Sequence, residues 1–170
     1  MKKAILVFLL LVASASQSFS QQYSTGLGVR LGGIGQGLSV KHFINSTGAI
    51  EGIVSFGRGS FLITGLYEKH APIAGAEGLS WFYGGGAHIG FYNHDFGYAY
   101  YHYYNRKGYV YYRNNESNST VSFGGDFILG LEYKFQKAPF TIGLDIKPFV
   151  DIIPGVYGYW DGALTARYTF

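Results

Sequence analysis

The chain has 170 residues, the size of one domain, with no cysteine and a formal net charge of +3. Only 14% of its residues are charged, while 19% are aromatic and 26 are glycine; this excludes a charge-rich disordered chain and disfavours a helical one. Without cysteine there are no disulfides, no thiolate metal sites, no cysteine nucleophile and no lipid-anchoring N-terminal cysteine.

The first 20 residues, MKKAILVFLLLVASASQSFS, place two lysines ahead of an apolar run and a zone of small residues. That order predicts a secretory signal peptide, residues 1–20, cleaved after Ser20 or, as the other choice, after Ala15. The apolar run is too short to span a bilayer as a helix, which takes about 20 residues. Removing Lys2 and Lys3 with it leaves 11 basic against 10 acidic residues. A near-neutral mature chain carries no nucleic-acid footprint.

From Ser24 onward apolar and polar residues alternate with period two, interrupted by clusters of Gly, Asn, Ser and Pro. Eight strands are expected, at 24–32, 37–45, 49–57, 60–69, 78–92, 119–135, 139–150 and 162–170. The second is blurred by His42 and Phe43. The connection at 151–161 is intermediate in length, and 93–118 is the one long loop. In the sixth strand Val121, Phe123, Phe127, Leu129, Leu131, Tyr133 and Phe135 share one parity, with Ile128 as an apolar intruder on the other. The seventh sets Phe140, Ile142, Leu144 and Ile146 against Thr141, Gly143, Asp145 and Lys147.

Ten charges fall within the strands on the parity opposite the apolar stripe. Five are basic (Arg30, Lys41, Lys134, Lys147, Arg167) and five acidic (Glu51, Glu68, Asp126, Glu132, Asp145). In a soluble sandwich or lipocalin-like barrel such charges would face water, and nothing would require their signs to balance. In a transmembrane barrel they fill a narrow lumen, where an unpaired charge costs several kcal/mol. The balance, the strand lengths and the aromatics at strand ends (Trp81, Phe91, Phe135, Phe140, Tyr168, Phe170) favour the second architecture. The expectation is an all-β, eight-stranded antiparallel transmembrane β-barrel, an up-and-down meander over residues 21–170. Arg30, Lys41, Glu51, Glu68, His88, Asp126, Glu132, Lys134, Asp145, Lys147 and Arg167 then form its lumen network.

The final strand, GALTARYTF, together with VKHFI, EGIVSF, GLYEKH, GAHIGFYN, GLEYKF and IGLDIKPF, resembles small OmpA/OmpX-type outer-membrane barrels and the outer-membrane barrel proteins of Bacteroidota. The resemblance implies a bacterial outer-membrane location with both termini periplasmic and loop 93–118 extracellular. It also implies that Tyr168 and Phe170 are the C-terminal signal read by the barrel-assembly machinery. The partners expected are outer-membrane lipid and lipopolysaccharide, plus a host or cell-surface ligand, with the barrel itself a monomer.

Several motifs are weaker than they look. GLGVRLGGIGQG and Gly84–Gly86 lack the strand–turn–helix context and the Gly-Lys-Ser/Thr of a phosphate loop. His42, His70, His88, His94 and His102 show no metal-ligand spacing, so no metal or other cofactor is expected. His94, Asp95 and His102, with Ser117 and Ser119 nearby, would suit acyl chemistry on lipid A at an outer rim, but match no catalytic motif. A small pore is the other alternative, although eight strands leave an interior that side chains can fill.

The stretch YAYYHYYNRKGYVYYR reads as two strands around a tight turn. Tyr98, Tyr100, Tyr101, Tyr103, Tyr104, Tyr109, Tyr111 and Tyr112, with Arg106, Lys107 and Arg113, make either an extended interfacial girdle or a recognition surface. The expected role is therefore non-enzymatic and adhesion-like.

Overall fold

The computed structural model describes residues 23–57, 60–92 and 120–170. Eight strands run in chain order: β1 Thr25–Gly32, β2 Gly35–Phe43, β3 Gly48–Gly57, β4 Ser60–Pro72, β5 Leu79–Tyr92, β6 Thr120–Lys134, β7 Phe140–Ile153 and β8 Tyr157–Thr169. Each pairs antiparallel with its sequence neighbour and β8 closes on β1, so the all-β, eight-stranded meander expected from the alternation is the fold observed. Closure leaves no full-length edge strand exposed.

Period-two alternation sets the two faces of the wall. On β7 Phe140, Ile142, Leu144 and Ile146 point outward and are about half exposed, while Thr141, Asp145, Lys147 and Asp151 are buried inside. Stepping through directly opposed residues from Leu27 runs Val40, Gly52, Gly65, Ala87, Gly125, Val150, Gly158. Continuing the β1–β8 register (Gly32 opposite Ala163) to Gly158 reaches position 37, ten residues beyond the start. A stagger of ten over eight strands, at about 3.3 Å per residue and about 4.8 Å between strands, tilts the strands by roughly 40°.

The termini and the turns at 44–47, 73–78 and 135–139 lie at one end, here the terminal end; the connections after β1, β3, β5 and β7 lie at the other, the loop end. Asn45 closes the first of these turns, its Oδ1 accepting from the backbone of Thr47 and Gly48 at 3.1 and 2.7 Å. Gly75 and Gly78 give the 73–78 turn its two positive-φ positions.

Three strand boundaries differ by three residues or more from those expected. β4 continues to Pro72, and the supposed connection at 151–161 is mostly hairpin, since β7 reaches Ile153 and β8 begins at Tyr157. Pro154, Gly155 and Gly158 look like strand breakers in sequence, yet only 154–156 turn. In β2 the ambiguity resolves with Phe43 inward, its ring 5.0 Å from Tyr23 and 4.8 Å from His70. His42 points outward beside Thr25. Ile128 is no intruder: it packs inside the lumen with Ile53, Leu66 and Phe82.

The β6–β7 ladder skips Phe127–Ile128 against Lys147–Pro148. Pro148 has no N–H to donate, and a closed barrel offers no edge where that loss is harmless.

The close strand approach yields a test. A Cβ on inward Gly86 would lie 1.9 Å from the Gly65 carbonyl oxygen, whereas one on outward Gly52 or Gly65 meets nothing within 4 Å. Gly86→Ala should lower the urea unfolding midpoint of the barrel in lipid vesicles, and Gly52→Ala should leave it unchanged or raise it.

Candidate functional site

The polar side chains of the lumen form three levels of ion pairing. Nearest the terminal end, Lys41 on β2 sits among three carboxylates from three strands. Its Nζ is 2.7 Å from Glu68 Oε2, 3.2 Å from Glu51 Oε2 and 3.5 Å from Glu132 Oε2. Arg167 on β8 reaches the same group. Its Nη1 donates to Glu132 at 2.9 Å, its Nη2 to Glu51 and its Nε to Ser39 Oγ at 2.8 Å. Glu51 lies directly opposite Lys41 in the β2–β3 register, which is why their side chains meet.

An aromatic lid covers this level. Tyr23, just ahead of β1, donates to Glu132 Oε1 at 2.8 Å. Burial, and then the Glu132 carboxylate, push its phenol above the ordinary tyrosine value, so it remains a donor. His70 stacks on Phe82 with ring centroids 5.0 Å apart, and Phe82 also lies 4.2 Å from Lys41 Nζ. His70 Nε2 faces Glu68 Oε2 at 3.0 Å.

At the middle level Arg30 on β1 bridges Asp145 on β7 at 2.5 Å and Asp161 on β8 at 2.7 Å. Asp161 also accepts from the backbone N–H of Ile34 at 3.0 Å, which ties down the β1–β2 turn.

At the loop end Lys147 Nζ pairs with Asp126 Oδ1 at 2.7 Å. His88 Nδ1 and Nε2 lie 2.7 Å from Asp126 Oδ2 and from Asp151 Oδ1, and Ser122 donates to Asp151 at 3.0 Å. Carboxylates only accept, so an imidazole held between two of them donates from both nitrogens and is an imidazolium.

Of the network residues expected from sequence, Arg30, Lys41, Glu51, Glu68, His88, Asp126, Glu132, Asp145, Lys147 and Arg167 meet within these levels and are buried. Lys134 does not. It keeps inward parity but lies at the rim, where its Nζ donates to the carbonyls of Phe135 at 3.1 Å and Ala138 at 3.0 Å. β6 ends there, so the side chain caps the β6–β7 turn rather than reaching a carboxylate.

Asp151 and Asp161 were hidden in an assumed connection, although each continues the inward parity of its strand. His70 and Tyr23 carried no sequence signal beyond position. The apparent five-to-five balance is thereby replaced by four Lys/Arg (Arg30, Lys41, Lys147, Arg167) against seven acids (Glu51, Glu68, Asp126, Glu132, Asp145, Asp151, Asp161), with His88 making up part of the difference.

The tyrosine stretch Tyr98–Arg113, together with His94, Asp95, His102, Ser117 and Ser119, lies outside the described residues. Tyr168 packs its ring 5.4 Å from Phe140, and the Phe170 backbone pairs with Thr25 at 2.9 and 3.0 Å. Among the described residues no group of three or more His, Cys, Asp or Glu is disposed to hold a metal ion.

Removing one partner from a buried ion cluster leaves the others uncompensated, typically a loss of about 3–5 kcal/mol. Arg167→Met should cost that much in urea unfolding in lipid vesicles. Arg167→Lys should recover only part of it, since one ammonium cannot span Ser39, Glu51 and Glu132. Lys134→Met should stay within about 0.5 kcal/mol of the parent.

No protein-family model matches the chain, and no curated protein matches it in sequence. Among solved structures it is similar to the N-terminal β-barrel domain of Pseudomonas aeruginosa OprF, with a TM-score of 0.60 at 12% sequence identity, covering 86% of this chain and 95% of that one. At that identity the likeness is one of fold: the chain shares the eight-stranded barrel of an outer-membrane protein domain.

Proposed function

We propose that the chain is an integral outer-membrane protein of a Gram-negative cell, of the kind found in Bacteroidota: a sealed, non-enzymatic barrel that acts at the envelope surface. One observation carries the reading, the inverted polarity of the wall. Arg30, Lys41, Glu51 and Glu68 are at most 1% exposed, while Leu31, Leu144 and Leu164 are more than half exposed. In water such a barrel would bear both the desolvation of its charges and the exposure of its apolar side chains. Acyl chains remove the second cost, and ion pairing offsets the first.

The dimensions agree. Trp81 and Phe91, outward near opposite ends of β5, are ten residues apart. At about 3.3 Å per residue and a tilt of roughly 40°, they stand about 25 Å apart along the axis, the height of the apolar band between aromatic girdles. Phe135, Phe140, Tyr168 and Phe170 lie near the Trp81 end, and Phe56, Phe61 and Phe123 near the Phe91 end.

In this reading residues 1–20 direct export, both termini are periplasmic, and Tyr168 and Phe170 engage the barrel-assembly machinery. The wall meets lipid and lipopolysaccharide as a monomer. The tyrosine-rich segment of loop 93–118 is extracellular and contacts a host or cell-surface ligand, with Arg106, Lys107 and Arg113 suited to anionic groups.

Three measurements bear on this. Protein from outer-membrane fractions should migrate differently on gels before and after boiling; a chain found only in soluble fractions removes the proposal. Leu144→Arg should destabilise the barrel in bilayers by about 2–4 kcal/mol, a penalty a water-facing site would not show. Lipid A mass profiles with and without the gene should be identical, and a changed acyl pattern would favour the lipid A enzyme instead.

A further inference from the structure

The terminal-end cluster does not balance. Glu51, Glu68 and Glu132 bring three carboxyl groups, Lys41 and Arg167 two cations, and none of the five is more than 3% exposed. Tyr23 and Ser39 enter as neutral donors. His70 is the other titratable group against the cluster. As an imidazolium it would bury an Nδ1–H, and Nδ1 has no partner among the described residues. A neutral ring that donates from Nε2 to Glu68 Oε2 leaves only a lone pair unmet, which costs less. Three ionised carboxylates would then leave one unmatched negative charge in a closed interior, where such a charge is expensive.

The hydrogen bonds say where a proton belongs. Glu132 uses both oxygens: Oε1 accepts from Tyr23, and Oε2 from Arg167 and Lys41. Glu51 Oε1 accepts from Ser39 and Arg167, and Glu68 Oε2 from His70, with Lys41 at 2.7 Å. Glu51 Oε2 and Glu68 Oε1 are left, the two carboxyl oxygens of the cluster with no hydrogen-bond donor.

These two groups are neighbours. The β3–β4 register sets Glu51 opposite Leu66, one inward step from Glu68 on the same strand. That diagonal spacing lets long side chains meet, and the two carboxyl groups lie within hydrogen-bonding reach of one another. Two carboxylates this close in a dry site cannot both stay ionised, and one proton between them turns repulsion into a hydrogen bond.

We propose that Glu51 and Glu68 form a buried proton-binding site, in which Glu68 is a carboxylic acid whose Oε1–H donates to Glu51 Oε2. One bound proton then matches the three carboxyl groups to Lys41 and Arg167, and both orphan oxygens gain a partner. With the proton in place the terminal end of the lumen needs no mobile cation. Without it, the cluster holds an excess negative charge that would draw a small cation in from that end. The pair belongs to the inner wall and is independent of what the outer loop binds.

The proton can be seen directly. The full barrel is refolded into vesicles of ether-linked phosphatidylcholine, which carry no ester carbonyl, and its infrared spectrum is taken at neutral pH. The unsubstituted protein should show the C=O stretch of a protonated carboxyl, shifted in heavy water and lost in Glu68→Gln. Absence of that band, or its survival in Glu68→Gln, overturns the proposal. Urea unfolding in the same vesicles gives a second reading. Glu68→Gln replaces the acid by an amide that still donates to Glu51 and accepts from Lys41, so its midpoint should match the parent's. Glu132→Gln removes an ionised partner of Arg167 and Lys41 and should lower it. Were Glu68 ionised, both variants would lose stability alike, and a Glu68→Gln chain that failed to refold would count the same way. A parent midpoint that rises with sodium or potassium, with no carboxyl band, would assign the missing charge to a bound cation and sink the proton site.

Discussion

A charge in a low-dielectric interior has to find its opposite, and this barrel is arranged around that constraint. Titratable side chains occupy the inner parity of every strand, with His88 serving on β5. An isolated one would cost several kcal/mol or give up its charge. Pairing within the lumen meets the demand only because the wall closes and brings side chains from distant strands within reach. The exposed apolar outer face is the other side of the same arrangement, since a strand with charge on one parity places its greasy residues on the other.

The ion pairs also do something the sheet cannot. Backbone ladders hold each strand to its two neighbours. The lumen network links strands that are not neighbours: β8 to β3 and β6 through Arg167, β2 to β4 and β6 through Lys41, β1 to β7 through Arg30. These links act as cross-braces. His88 does the same at the loop end, where it spans β6 and β7 from β5. Buried ion pairs are weak evidence of net stability, because desolvation offsets most of their attraction. Their clearer effect is to favour one register, since a one-residue slip would turn every charge onto the outer face.

Stagger and hairpin length together shape the rims. β1 and β2 are the shortest strands, at 8 and 9 residues, and they end at the tight connection 33–34, whereas β5 to β8 run 13 to 15 residues. The β1–β8 seam therefore holds fewer opposed residues than the β7–β8 hairpin, and β8 from Tyr157 to Asp161 stands beyond the end of β1. The loop-end mouth is oblique, low along β1–β4 and tall along β5–β8. Asp161 closes the low side of that step through Arg30 and the Ile34 amide.

Strand number, meander order and the two faces of the wall were legible in the sequence, because period-two alternation is a local property and short polar connections leave little topological choice. Nine of the lumen charges, the rim residue Lys134 and His88 could be assigned to one face for the same reason. Partners could not. Glu51 meets Arg167 across the barrel and Asp161 meets Arg30, and those encounters depend on a ten-residue stagger that no single segment encodes. Boundaries failed where a local breaker was overruled: Gly158 sits inside a strand because pairing with β7 holds it there. Lys134 had the right parity and the wrong depth, since alternation reports a face but not a height along the axis. What the sequence determined alone was which side chains look inward. Which of them touch was decided by closure of the wall.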